Sequence, residues 1–241
     1  MMKKNVIRGL VLLPVLFGMG YASAATIDYR HEYTARSKEQ KDRIRVSHRF
    51  DNNISFALEG KWVSKKAAGH SKAHAYSNNV SGGQEFELAY LYKINDQLSL
   101  SPAIVIESNS SSTTYKPQIK AEYKVTPQFT FSARYRYGDK VNDRSNASHP
   151  DDQHFHQGNF VFAYKFDSFN VSYDFEVKKL IDYKGWKDKK RDYAHNIVVQ
   201  VPIDKNWVPF AELGYVTYHA PGTDRKEDWQ VRYRAGVKYN F

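Results

Sequence analysis

The chain has 241 residues, a formal charge of +10 and a mean hydropathy of −0.68. It contains no cysteine, which excludes disulfides, thiol catalysis and thiolate metal sites. Beyond the N-terminus no apolar run approaches the roughly 20 residues of a membrane-spanning helix, so any membrane role for the body of the chain falls to strands.

Lys3, Lys4 and Arg8 form a positive start, residues 9–20 are apolar apart from Pro14, and Ala22-Ser23-Ala24 is an A-x-A site. This pattern predicts a cleavable signal peptide over 1–24 and one mature domain over 25–241, beginning at Ala25. A basic chain commonly meets nucleic acid. Export redirects that expectation to small anionic solutes, and no nucleic-acid partner is expected.

From there the chain alternates. Period-two patterning predicts strands at 26–34, 41–50, 54–63, 84–94, 98–107, 114–125, 128–138, 158–166, 169–179, 192–203, 207–217 and 229–241. Tight polar turns lie at Asp51-Asn52-Asn53, Asn95-Asp96-Gln97, Thr126-Pro127-Gln128, Asp167-Ser168 and Asp204-Lys205-Asn206. Longer polar connections alternate with them, at 35–40, 64–83, 108–113, 138–157, 180–191 and 218–228. Short turns on one side and long loops on the other define an all-β fold: a twelve-stranded antiparallel transmembrane β-barrel in a Gram-negative outer membrane. The 18 Tyr, 14 Phe and 4 Trp would supply the aromatic girdles of such a barrel.

Charge separates the two faces. One parity carries stripes such as Ile44, Val46, His48 and Phe50, or Val231, Tyr233, Ala235, Val237, Tyr239 and Phe241, with no Lys, Arg, Asp or Glu inside them. A cation facing lipid at mid-membrane costs about 2–4 kcal/mol, which accounts for the exclusion. The opposite, inward parity carries Arg30, Arg43, Arg45, Arg49, Lys61, Lys116, Lys120 and Lys124. It continues with Arg134, Arg136, Lys165, Lys178, Arg232, Arg234 and Lys238. Acids share this face at Asp28, Glu32, Glu59, Glu85, Glu87, Glu107, Glu122, Asp174, Glu176 and Glu212, mostly on other strands. Cationic ladders facing water between low-dielectric walls concentrate anions. Alternate residues on a strand lie about 6–7 Å apart, so Arg134–Arg136 and Arg232–Arg234 form steps for successive carboxylates. The guanidinium fork grips a carboxylate through two hydrogen bonds.

Several segments stand out when taken in order: Ile27-Asp28-Tyr29-Arg30-His31-Glu32, Lys41-Asp42-Arg43, Ser47-His48-Arg49-Phe50, Tyr135-Arg136-Tyr137, the run from Asn206 to Gly214, and the closing run from Arg232 to Phe241. Together they resemble the oligogalacturonate-specific monomeric porin (KdgM) family of outer-membrane channels, which includes the sialic-acid porin NanC. The resemblance implies a narrow, usually monomeric channel importing acidic sugars past arginines and lysines. Carried over by position, Arg43, Arg49, Arg134, Arg136, Arg232 and Arg234 are the candidates for the anion track.

Other constellations point less far. His149, Asp151, Asp152, His154 and His156 cluster in an outer loop without fixed metal-ligand spacing. His70 and His74 stand four apart among lysines with no helix to align them. His31 and His48 face outward, but no outward Ser completes a lipase site, and Ser47 has inward parity. Glu85 and Glu87 are spaced for glycoside cleavage, yet in a lumen rich in cations they read as ion-pair partners. No P-loop, dinucleotide or zinc motif is present. The expectation is passive uptake of acidic oligosaccharides, most of all oligogalacturonates, with outer-membrane lipid as surroundings and no cofactor, metal or catalysis. Two alternatives stand beside it: another acidic sugar such as sialic acid, or an outer-membrane enzyme or adhesin acting through long loops.

Overall fold

A computed structural model describes residues 25–66, 73–143, 151–182, 191–218 and 228–241. The expected leader, His70 and His149 lie outside the described residues. Within them, twelve antiparallel strands close into a barrel. In chain order these are β1 (Thr26–Thr34), β2 (Gln40–Arg49), β3 (Ile54–Ser64), β4 (Asn79–Tyr90, resuming at Tyr92–Lys93), β5 (Leu98–Ser108) and β6 (Ser112–Lys124). There follow β7 (Phe129–Asn142), β8 (Gln153–Lys165), β9 (Asn170–Leu180), β10 (Arg191–Gln200), β11 (Trp207–Tyr218) and β12 (Asp228–Asn240). Each strand pairs with its sequence neighbours, and β12 returns to β1 in continuous register from Thr26↔Asn240 to Thr34↔Arg232. Closure leaves no sheet edge, as hydrocarbon surroundings demand of a strand protein.

Three of the tight turns share one device. A side-chain oxygen accepts the backbone N–H groups two or three residues on. Asn95 Oδ1 takes those of Gln97 and Leu98, Thr126 Oγ1 those of Gln128 and Phe129, and Asp204 Oδ1 those of Asn206 and Trp207. These Asx and hydroxyl turns fix where their three hairpins reverse, and with it the strand register. At Asn53 the chain enters the left-handed region (φ 65°), a conformation Asn tolerates.

The barrel is inside out relative to a protein folded in water. Ile197, Leu213 and Tyr233, register neighbours on β10, β11 and β12, are each about half exposed on the outer wall. Apolar residues buried in the wall or bore are few: Val105, Phe155 and Phe210 among them. Two of these sit over glycines of the neighbouring strand. Phe155 faces its register partner Gly138, where a Cβ would stand 2.1 Å from the ring, and Phe210 faces Gly236 in the same way at 2.5 Å. A lysine caps each ring: Lys178 Nζ lies 4.0 Å from the Phe155 centroid and Lys238 Nζ 5.6 Å from that of Phe210. Such cation–π contacts contribute about 0.5–2 kcal/mol each.

One expectation needs correction. The long connections are shorter than the sequence suggests, because β4 begins at Asn79, β7 runs to Asn142 and β8 begins at Gln153. Polar residues on both faces there hide a strand that continues past the apolar band. Beyond the ends of the apolar stripes, the outward parity carries charge. Asp42 stands two residues before Ile44 on the outer face of β2, and Asp139, Lys179 and Arg191 occupy outward parity near the loop ends of β7, β9 and β10. They lie at the strand ends toward the long connections, past the greasy stripe, where the solvation penalty of mid-membrane has fallen away.

Candidate functional site: the charged bore

The bore holds a cavity of about 830 Å³. Its walls include Arg30, Arg43, Arg45, Arg49, Lys61, Lys116, Lys120, Arg134, Arg136, Lys178 and Arg234, together with Glu59, Glu85, Glu87 and Glu107. Lys124 lines a second cavity by the tight turns, with Arg49 and Lys120. Two further candidates are absent from the main cavity wall. The Arg232 guanidinium bonds to Asn196 and reaches Glu212, and Lys238 covers Phe210. Lys140 lines the cavity too, although the apolar pattern alone places Gly138–Asn142 in a loop. The even-numbered parity continues unbroken through Gly138, Lys140 and Asn142, and that was the available signal.

The cations fall into two groups. Arg43 and Arg45 on β2, Lys61 on β3, and Lys116 and Lys120 on β6 are matched by carboxylates. Arg43 bonds to Asp28 at 2.8 Å and lies 3.3 Å from Glu59. Arg45 donates to Glu87 at 2.8 Å. Lys61 donates to Glu107 at 2.7 Å, and the buried Lys116 ammonium joins Glu85 at 2.9 Å and Glu107 at 2.7 Å. Across β11–β12–β1, Arg234 bridges Glu32 and Glu212, both at 2.7 Å. Glu85 and Glu87 are therefore members of an ion-pair lattice.

The second group meets amides. Arg134 donates to Asn159 Oδ1 at 2.6 Å. Arg136 donates through Nε and Nη2 to Gln118 Oε1, at 2.8 and 2.6 Å. Among the described residues neither these arginines nor Arg30, Arg49 and Lys178 make an ion pair with a carboxylate. Asp174 and Glu176 are on the same side of the bore, but they accept from Asn159 Nδ2, at 3.2 and 3.0 Å. The amides of Gln118 and Asn159 are functional candidates that a search for charged residues passes over. Their signal was inward parity opposite an arginine.

Outside the bore, His31 lies 2.9 Å from both Asp42 Oδ1 and Gln40 Oε1, and the Tyr29 hydroxyl donates to Asp42 at 2.7 Å. Tyr76 packs on His31 (5.2 Å between ring centroids) and its hydroxyl lies 3.0 Å from that of Tyr29, so this part of the β3–β4 connection rests on the outer wall. In the suspected histidine cluster, His154 pairs with Asp139 and Asp182, and His156 lies 2.6 Å from the Tyr135 hydroxyl.

Known proteins agree with this architecture. The profile of the family described as oligogalacturonate-specific porin protein (KdgM) matches residues 19–241. The oligogalacturonate-specific porin KdgM of Dickeya dadantii is 32% identical over 225 residues, spanning 91% of this chain and 93% of that protein. The N-acetylneuraminic acid outer membrane channel protein NanC of Escherichia coli K12 is 26% identical over the full length of both. A solved KdgM porin in complex with disordered oligogalacturonate superposes with a TM-score of 0.63 at 32% identity, covering 90% of this chain and 99% of that one. The chain is an outer-membrane β-barrel, and it belongs to the oligogalacturonate-specific porin (KdgM) family.

Proposed function

We propose that this porin is a passive, anion-preferring uptake channel for acidic oligosaccharides, with oligogalacturonates as its principal substrate. One observation carries the reading: among the described residues Arg134, Arg136 and Lys178 face the cavity with no ion pair to a carboxylate, opposite a wall where Arg43, Arg45, Lys61 and Lys116 are matched. An anion entering the bore therefore meets net positive potential on one side and hydrogen-bonding polar groups on the other. Contacts of this kind are repeated and individually weak, as conduction requires, since one tight site would block the path. Arg30, Arg43, Arg45, Arg49, Lys61, Lys116, Lys120, Lys124, Arg232, Arg234 and Lys238 set the background field, and many of them also hold the barrel together. The 32% identity to the Dickeya porin supports oligogalacturonate over sialic acid, which the NanC relative keeps as the second reading. The same proposal includes a leader cleaved before Ala25 and a monomeric barrel.

Liposome swelling separates the substrates. Vesicles carrying the barrel should admit galacturonate oligomers faster than a neutral oligosaccharide of equal size. Faster entry of sialic acid than of galacturonate oligomers would favour the second reading, and equal entry of charged and neutral sugars would reject both.

A further inference from the structure

We infer that Gln118 and Asn159 are specificity-determining positioning residues: they hold the Arg136 and Arg134 guanidinium groups in the bore without cancelling their charge. This inference rests on the anion-channel reading above and concerns how that channel keeps its field.

A long arginine side chain in a wet lumen needs an acceptor to stay in one place. A carboxylate fixes it and neutralises it, as Glu32 and Glu212 do for Arg234. An amide oxygen fixes it and leaves the positive charge whole. Gln118 is the register partner of Arg136, and its single oxygen takes two donors of that guanidinium. Asn159 is the register partner of Arg134 and is buried. Its Nδ2 is already committed to Asp174 and Glu176, so its oxygen must turn toward Arg134. Asn159 thereby stands as a neutral spacer between a guanidinium and two carboxylates that would otherwise claim it.

A third arginine shows the same device in weaker form. Arg232 reaches across β11 to Asn196 Oδ1 at 2.7 Å, over Gly214. A Cβ at that glycine would stand 2.8 Å from the Asn196 oxygen and 3.2 Å from Arg232 Nε, so the bare backbone opens the contact. Glu212, 3.3 Å from Arg232, offsets part of the charge there. Three arginines on two strands thus take an amide oxygen as acceptor, and Arg134 and Arg136 do so with no ion pair beside it among the described residues.

The test replaces the amide with its isosteric acid. Wild type, Gln118→Glu, Gln118→Leu and Arg136→Gln are reconstituted in planar bilayers, and the zero-current potential is read in a potassium chloride gradient. Gln118→Glu should lower the anion-to-cation permeability ratio by about fivefold, the factor a unit charge about 4 Å away commands in a water-like dielectric, and so should Arg136→Gln. Acidification that protonates the new carboxyl should restore the ratio in Gln118→Glu and not in Arg136→Gln. Gln118→Leu should keep the anion preference and weaken block by galacturonate oligomers, since the charge remains while its position loosens. If Gln118→Glu does not insert, Asn196→Asp should shift the potential in the same direction by a smaller amount. A folded acid variant with the wild-type ratio at neutral pH would overturn the inference. A wild type without anion preference would instead overturn the channel reading, so the two failures are distinguishable.

Discussion

Lys116→Met should destabilise the barrel more than any single change on its outer wall outside mid-membrane. The ammonium sits in the ion-pair lattice with its side chain 5% exposed, and it makes two short bonds, to Glu85 and Glu107. Methionine fills the same space and withdraws the charge. Removing one partner of a buried pair costs about 3–5 kcal/mol, because the surviving carboxylates remain desolvated. Here the lower end applies, about 3 kcal/mol, because Lys61 still reaches Glu107 at 2.7 Å and Glu85 at 3.7 Å. The assay is equilibrium unfolding in urea with the barrel reconstituted in lipid vesicles, together with Glu107→Gln and the double variant. Coupled neighbours depart from additivity by about 0.5–3 kcal/mol, so the double variant should recover part of the loss. A Lys116→Met barrel within about 0.5 kcal/mol of wild type would refute the claim that this lattice holds β3 to β6 together.

Three further outcomes follow from other parts of the molecule. Leu213→Arg places a cation in the middle of the outer apolar band and should cost about 2–4 kcal/mol, seen as failed or slowed insertion into vesicles; normal insertion would argue against a lipid-facing wall there. Gly138→Ala forces a methyl group against the Phe155 ring and should cost about 1–3 kcal/mol and reduce single-channel conductance as the ring swings into the bore, whereas Gly138→Ala/Phe155→Ala should regain the conductance. In the tight turn, the Trp207 and Asn206 amides hold the Asp204 carboxyl below the usual carboxylate range. A depressed folded-state value contributes stability that is present above the ordinary value of about 3.9 and is lost as pH falls through the lower, folded-state value. Asp204→Asn keeps the acceptor oxygen and does not titrate, so urea midpoints measured down that acid window should fall less steeply in the variant than in wild type.

The strands and their facing were legible because alternation is a local signal. Val231 to Phe241 announce one greasy face, and the structure puts that face outward. The turns were legible for a similar reason, since Asn95, Thr126 and Asp204 act on amides two and three residues away. Strand ends were misjudged where apolar content stops but pairing does not, as at Asn79 and Asn142, because hydrogen bonding to a neighbour leaves no mark on composition. The division of the lumen into matched and unmatched cations was not legible either. Lys61 and Lys116 carry the same charge as Lys178, and only the cross-strand register decides that the first two meet Glu107 while the third covers Phe155. Gln118 and Asn159 carry no charge to mark them in the sequence, and only the register places them beside Arg136 and Arg134.

The central claim is that water in this bore feels a net positive wall. The most direct measurement is the zero-current potential of the wild-type barrel in a planar bilayer under a tenfold potassium chloride gradient. A potential displaced toward the chloride equilibrium value, collapsing toward zero when the salt on both sides is raised enough to screen the guanidinium groups, is the expected result. A potential on the potassium side, or a folded barrel that passes no current at all, would contradict the account.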